Sequence, residues 1–182
     1  RLLPRFETYC TEKKYVFRAP LDEIYDFCVL EYSFALWQWG TEVSNIPSSA
    51  ASDEEIFRHL LDVSDPSYFT CDSPNVSFFV QAARELGYYG YDIEPFRELR
   101  HMKFHKKLGR KIMNFLKDND PKMIFIYGQN DPWTAAGVTW LKGKKNVSVF
   151  VQPGGSHLAR ISTLPESMRM HVISQIQKWL DE

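Results

Sequence analysis

The sequence lacks any apolar run that approaches the roughly 20 residues needed to cross a bilayer. An excess of one charge is also missing, because 22 basic and 23 acidic side chains give a formal net charge of -1. Anionic membranes and nucleic acids both attract chains with a basic excess. We therefore expect neither a membrane nor a nucleic acid as a partner.

Cysteine is scarce, and the three cysteines, at positions 10, 28 and 71, have no metal-ligand spacing. Their odd number leaves at least one thiol free or paired outside the chain, so the cysteines do not decide the redox compartment.

His101 and His105 have the spacing of a helical metal pair. However, they lie in the basic run Arg100–Lys107, which repels a cation, and neither a carboxylate nor a thiol completes the site. We expect no metal and no cofactor.

A Gly-x-Ser-x-Gly motif, which presents a nucleophilic serine on a strained turn, is also absent. The nearest match, Gly154–Leu158, has leucine where the second glycine should stand, and Ser156 is not expected to be a nucleophile. The chain starts at Arg1 with neither an initiator methionine nor an apolar leader. We expect a piece of a longer protein.

What the sequence does contain falls into two zones. Residues 1–120 have a helical pattern, and residues 121–182 alternate strand, loop, strand, loop and helix. The apolar and aromatic stretch Leu21–Trp39 predicts a helix that stops at Gly40. A capping box at Ser52–Glu55 predicts the start of the next helix, over residues 54–61. Two further helices are predicted, one over residues 75–86 and one over residues 103–117. Pro74 is expected at the first helical position of the former.

Two short runs in the second zone, Met123–Tyr127 and Val147–Val151, are rich in β-branched and aromatic residues without polar alternation. That composition is typical of strands buried on both faces of a parallel sheet. The last helix is predicted over Pro165–Leu180, with a capping box at Thr163–Glu166. Because two parallel strands do not make a stable domain, the rest of the sheet is expected from a preceding part of the protein.

A polar loop follows each predicted strand, and each loop carries one candidate catalytic residue. Asp131 follows the first strand and His157 follows the second, so both are expected at the carboxyl edge of the sheet, where α/β proteins bind ligands. An α/β-hydrolase supplies its triad in the order nucleophile, acid, histidine. Taken singly, Asp131 fits an ordinary turn and His157 a surface loop. Their shared context favours an acid and a base whose nucleophile lies upstream.

The sequence thus predicts an α/β fold: the carboxyl-terminal portion of an α/β-hydrolase, with the last strands of a mostly parallel sheet and the final helix. Residues 1–120 are interpreted as a helical cap and return helix, and residues 121–182 as the end of the core. Caps of this kind are often inserted before the last two strands of such enzymes.

Three segments also resemble a known family. Phe125–Trp133 together with Pro153–His157, Phe79–Tyr89 and Val29–Trp39 are similar to segments of the secreted bacterial tripeptidyl aminopeptidases, which are related to the prolylcarboxypeptidase and dipeptidyl peptidase II group. The matches keep their order along the chain. Cysteines of the eukaryotic relatives are replaced by Ala82 and Ala83, which favours the bacterial branch.

The resemblance implies a secreted or periplasmic serine exopeptidase that releases short peptides from amino termini, often near proline. Asp131 would be the triad acid and His157 the base. Glu85 would hold the α-ammonium group of the substrate, although pairing with Arg84 or Arg97 is the structural alternative. Candidates for the substrate pocket are the aromatic side chains Trp37, Trp39, Tyr88, Tyr89 and Trp133, for which packing in the core is the alternative.

Two other functions stay open at this stage. An esterase or lipase would share the acid loop, which carries Asp131, and the histidine loop, which carries His157. A hydrolase-derived interaction module would need no nucleophile at all. A peptide substrate and the amino-terminal part of the same protein are the expected partners.

Overall fold

A computed structural model of the protein describes residues 1–86 and 104–182. Six α-helices lie in these two ranges. They are α1 (Leu3–Glu12), α2 (Leu21–Trp39), α3 (Asp53–Val63), α4 (Val76–Gln81), α5 (Lys106–Asp118) and α6 (Glu166–Asp181). The two strands are β1 (Met123–Gly128) and β2 (Val147–Gln152). No helix within the described ranges is long and apolar enough to cross a membrane.

The chain forms two compact units. Unit 1 contains Arg1–Leu36 and Thr41–Lys106, and unit 2 contains Trp37–Gly40 and Lys107–Glu182. Almost all of α5 therefore lies in unit 2, although the sequence groups it with the helical zone before residue 120. The end of α2 also belongs to unit 2.

The core of unit 1 is an apolar cluster built by α1, α2 and α3. Phe6, Cys10 and Cys28 are fully buried in it, with Ile24 and Phe57 beside them. Burial of a large apolar side chain such as Phe6, Ile24 or Phe57 contributes about 1.5–3 kcal/mol. Both core cysteines are free thiols, and burial raises the pKa of Cys10 to about 11, which keeps that thiol protonated.

Two helix boundaries predicted from sequence are confirmed, one at the end of α2 and one at the start of α3. The helix α2 covers the predicted range, and Gly40 follows it with φ +72°, the left-handed conformation that glycine adopts without steric cost. The capping box at the start of α3 is formed, since Ser52 Oγ accepts from the backbone N of Glu55 and the Glu55 carboxylate accepts from the backbone N of Ser52.

The helix predicted over residues 75–86 is only partly correct. A regular helix covers Val76–Gln81 and a π-helical turn covers Ala82–Leu86, while Pro74 lies before the helix instead of at its first position. The hydroxyl of Ser73 accepts from the backbone N of Asn75, and because of this local turn the helix starts one residue later than predicted. Gly87, the helix-ending glycine that follows the predicted range, lies outside the described residues.

Glu31, on α2, is a partly exposed residue whose carboxyl titrates near neutrality. Burial raises its pKa from 4.5 to about 7. Between these two values the folded chain binds more protons than the unfolded chain, so stability falls as pH rises. We expect Glu31→Gln to increase the free energy of unfolding above pH 7 by up to about 3 kcal/mol, with little change below pH 4.5.

Urea denaturation across this pH range measures the effect. Asp26→Asn is the matched control, because it removes an exposed carboxylate from the same helix. Its unfolding free energy should keep the wild-type dependence on pH. A Glu31→Gln protein with the same dependence as the wild type would contradict a buried, protonated carboxyl.

Unit 2 contains the sheet. Strands β1 and β2 are parallel, as predicted, and pair in register from Met123 with Val147 to Gly128 with Gln152. Leu116, Val138, Leu141 and Val147 form its buried cluster. The final helix α6 buries Val172 completely.

The capping box predicted for α6 is wrong. The N-terminal cap is Pro165, without a side-chain hydrogen bond. Thr163 Oγ1 instead donates to Gln152 Oε1 at 2.7 Å and accepts from the backbone N of Arg160 at 2.8 Å. The hydroxyl oxygen therefore does not accept from the first turn of α6, as an N-terminal cap would.

The helical spacing within α5 predicts one apolar face, formed by Leu108, Ile112, Phe115 and Leu116, and only part of this face is buried. Leu116 is buried, but Leu108, Ile112 and Phe115 are 45–48% exposed. Exposed apolar side chains of this size at helical spacing form a face that is available for packing.

Candidate active site

The two strands end side by side, which brings their following loops to one edge of the sheet. After the last strand pair, the backbone N of Gln129 still donates to the carbonyl of Gln152 at 3.0 Å. The side-chain oxygen of Gln129 accepts from the backbone N of Gly154 at 2.8 Å. The acid loop and the histidine loop are therefore hydrogen-bonded to each other from their first residues.

Asp131 is held by the turn that it begins. It is the N-terminal cap of a 3₁₀ turn, Pro132–Ala136, and its Oδ1 accepts from the backbone N of Trp133 at 3.1 Å. Thr134 Oγ1 donates to the carbonyl of Gly128 at 2.6 Å and so ties the turn to the end of β1. One carboxylate oxygen is fixed locally, and Oδ2 remains for another partner.

The histidine loop lies close against the acid loop. Asn130 donates its backbone N–H to the carbonyl of Gly155 at 2.8 Å and its side-chain amide to the carbonyl of Gly154 at 3.4 Å. Gly154 has φ +62°, as a tight turn in this position requires. Gly128 permits the approach, because a Cβ there would lie only 2.5 Å from the Gly155 carbonyl oxygen.

Asp131 and His157 meet, although 26 residues separate them. Asp131 Oδ2 lies 2.7 Å from Nδ1 of His157, with the Asp131 side chain 6% exposed and that of His157 42% exposed. An ionised carboxylate can only accept, so the Nδ1 atom carries the proton and Nε2 is left as the basic atom. The pair can thus accept a proton at Nε2 and balance the resulting charge with a buried carboxylate.

The other predicted site residues lie in different places. Trp39 is in unit 2, where its ring packs edge to face with the His157 imidazole at 5.9 Å between centroids. Trp37 is 44% exposed on the same turn. Trp133 contributes its backbone N–H to Asp131. Glu85 lies in the π turn of unit 1, and Tyr88 and Tyr89 lie outside the described residues.

Ser156 shows no arrangement suited to a nucleophile. Its hydroxyl oxygen accepts from the backbone N of Leu158 at 3.3 Å, and its carbonyl accepts from the backbone N of Ala159. These are the contacts of a short turn, and the expectation that Ser156 is not the nucleophile stays a prediction.

One contact of the site has no signal in the sequence. The backbone N of His157 donates to the carbonyl of Gln38 at 2.8 Å. Every residue has a main-chain carbonyl, so the sequence could not indicate that the carbonyl of Gln38 contacts His157.

No three histidine, cysteine or carboxylate side chains come together in the described residues as they would to hold a metal ion. His101 lies outside these residues, and the expectation that His101 and His105 bind no metal stays a prediction.

Comparison with known protein families identifies the family of the chain. The sequence profile of the PS-10 peptidase S37 family matches residues 2–181. The chain belongs to this peptidase family. This confirms the resemblance to peptidases that the sequence shows around Asp131 and His157 and in the preceding segments.

A curated relative of the S37 chain is the prolyl tri/tetrapeptidyl aminopeptidase of Streptomyces mobaraensis. The two are 23% identical over an alignment of 202 positions. The alignment covers 98% of this chain and 42% of the relative. The chain thus spans less than half the length of that enzyme. No solved structure matches the present chain.

Proposed function

We propose that the chain is the carboxyl-terminal part of a serine exopeptidase with an α/β-hydrolase core. The observation that carries this proposal is the 2.7 Å contact between buried Asp131 and half-exposed His157 at the carboxyl edge of a parallel sheet. Membership of the S37 peptidase family supports it independently.

In the proposed reaction, Nε2 of His157 takes the proton of a serine hydroxyl as the oxygen attacks the scissile carbonyl. The same proton then passes to the leaving amine, and a water molecule repeats the sequence to release the acyl group. Asp131 keeps Nδ1 protonated and faces the imidazolium while it exists. With 6% of its side chain exposed, the carboxylate acts on that charge through little intervening water.

The serine and the oxyanion hole would come from an amino-terminal part of the protein. Support comes from the relative, of which the chain matches 42%, and from the exposed apolar face of α5, Leu108–Phe115. A parallel sheet is normally covered on both faces and has more than two strands. We assign the further strands and the cover of this face to that amino-terminal part, and a cap function to the helices before residue 120.

The proposed substrate is a peptide with a free amino terminus and proline near the cleavage site, released in units of three or four residues. This preference follows the name of the relative, a prolyl tri/tetrapeptidyl aminopeptidase. Glu85 and the aromatic candidates for the pocket other than Trp39 remain part of the proposal, as does secretion.

The test uses the whole protein with three chromogenic substrates: a proline-ending tripeptide anilide, its amino-acetylated form, and a p-nitrophenyl ester. We expect cleavage of the free tripeptide and at least about a hundredfold less of the acetylated one, since an exopeptidase requires the charged amine. Hydrolysis of the ester without the peptides would replace the peptidase by an esterase.

A fluorophosphonate probe tests where the nucleophile lies. The whole protein should be labelled on one serine, and the isolated 182-residue chain should not react. Labelling of the isolated chain, with Ser156 identified by mass spectrometry, would contradict a nucleophile supplied from elsewhere. A whole protein that resists labelling would favour a non-catalytic module.

A further inference from the structure

Three successive residues at the end of α2 contact the histidine loop within unit 2. The Gln38 carbonyl accepts from the backbone N of His157 at 2.8 Å, and the Trp39 ring packs on the imidazole. Gly40 comes so near Ser156 that a Cβ there would lie 3.1 Å from the Ser156 Cβ. The contact is continuous along both segments, so the end of α2 is fitted to this loop.

The imidazole needs such a contact because Asp131 fixes only one of its atoms. A single hydrogen bond at Nδ1 sets a distance but leaves the ring plane free to tilt about that bond. The backbone of His157 is held separately, at its N by Gln38 and at its carbonyl by Arg160 Nη1 at 2.9 Å. Neither backbone contact touches the ring.

The ring of Trp39 supplies the missing constraint. The two ring planes meet at 82° with their centroids 5.9 Å apart, the edge-to-face arrangement that aromatic pairs prefer. An indole in this position restricts the tilt of the imidazole. Trp39 is itself 42% exposed, so one part of its surface faces His157 while another reaches solvent.

We infer that Trp39 is a positioning residue for His157, holding the imidazole plane so that Nε2 points to the attacking hydroxyl. This inference rests on the proposed function and assigns Trp39 a role different from that of a wall of the substrate pocket. A positioning residue acts on the proton transfer and leaves peptide binding unchanged, because a small misplacement of a catalytic group is costly in rate.

The experiment measures kcat and KM of the whole protein for Trp39→Ala, Trp39→Phe and, as the matched control, Trp140→Ala. Trp140 is a tryptophan of unit 2 that is as exposed as Trp39, and its ring faces the ammonium group of Lys117. We expect Trp39→Ala to lower kcat about 10- to 100-fold with KM within about twofold of wild type. Trp39→Phe should recover most of kcat, and Trp140→Ala should leave it unchanged.

A second readout removes peptide binding altogether. The rate of inactivation by a small fluorophosphonate depends on activation of the serine and not on a peptide pocket. It should fall in Trp39→Ala by the same factor as kcat. A higher KM with unchanged kcat and unchanged inactivation would overturn the inference and make Trp39 a wall of the pocket.

Folding and the underlying proposal are checked in the same series. If Trp39→Ala does not fold, Trp39→Leu replaces it, since leucine keeps apolar volume without a ring, and the same loss of kcat is expected. A wild-type protein that neither cleaves peptide nor reacts with the probe defeats the proposed function itself. An active wild type with a fully active Trp39→Ala defeats only the role of Trp39.

Discussion

Replacing Asp131 by asparagine should lower kcat by about four orders of magnitude while the protein stays folded. Asparagine has the same shape, and its oxygen can still accept from the backbone N of Trp133. Its amide nitrogen would then face Nδ1 of His157 and donate to it. The imidazole would have to carry its proton on Nε2, which is the wrong tautomer for a base.

Steady-state kinetics with the free tripeptide substrate measures the loss, and thermal unfolding verifies the fold. Asp118→Asn is the matched control, because it removes an exposed carboxylate of the same unit and should leave kcat unchanged. The double variant with His157→Gln should be little worse than either single variant, as for groups that act as a unit. A loss of less than tenfold in Asp131→Asn would mean that Asp131 is not the acid of the site.

The second large effect is expected at Gly128, the last residue of β1. A Cβ at this position would lie 2.5 Å from the Gly155 carbonyl oxygen and still closer to that of Ser156. Both obstacles are backbone atoms and cannot move aside as a flexible side chain would. Gly128→Ala should therefore push the histidine loop away from the acid loop, lower the unfolding free energy by about 3 kcal/mol and abolish peptidase activity.

Chemical denaturation and kinetics of the whole protein check this prediction. The matched control is Gly143→Ala, where a new Cβ meets nothing within 4 Å. Its only cost is the positive φ of +72°, about 1 kcal/mol, with activity retained. If Gly128→Ala were as mild as this control, the close approach of the two loops would not be needed by the site.

Much of the local structure could be predicted from the sequence because short-range interactions decide it. The limits of α2, the capping box of α3 and both strands depend on side chains within a few residues of one another. The same holds for the placement of Asp131 and His157, each a few residues beyond a strand. Parallel pairing then brings them to the same edge without further information.

The failures occur where a local group has more than one possible hydrogen-bond partner, or where a helix face depends on what packs against it. Thr163 does not cap α6 because its hydroxyl oxygen accepts from the backbone N of Arg160, while its proton goes to Gln152, 11 residues earlier in the chain. The apolar face of α5 has the correct spacing, yet the described residues cover only Leu116 of it. Periodicity indicates which side chains share a face and carries no information about what lies against that face.

The sequence by itself determined the order of the elements, the two candidate catalytic residues and, through its motifs, the peptidase family. Only the tertiary structure decided that Oδ2 of Asp131 meets Nδ1 of His157, that Trp39 packs on the imidazole, and that Glu31 is buried enough to titrate near pH 7. Helices, strands and caps arise from neighbours along the chain, whereas the orientation of a ring or the desolvation of a carboxyl depends on residues brought close by packing alone.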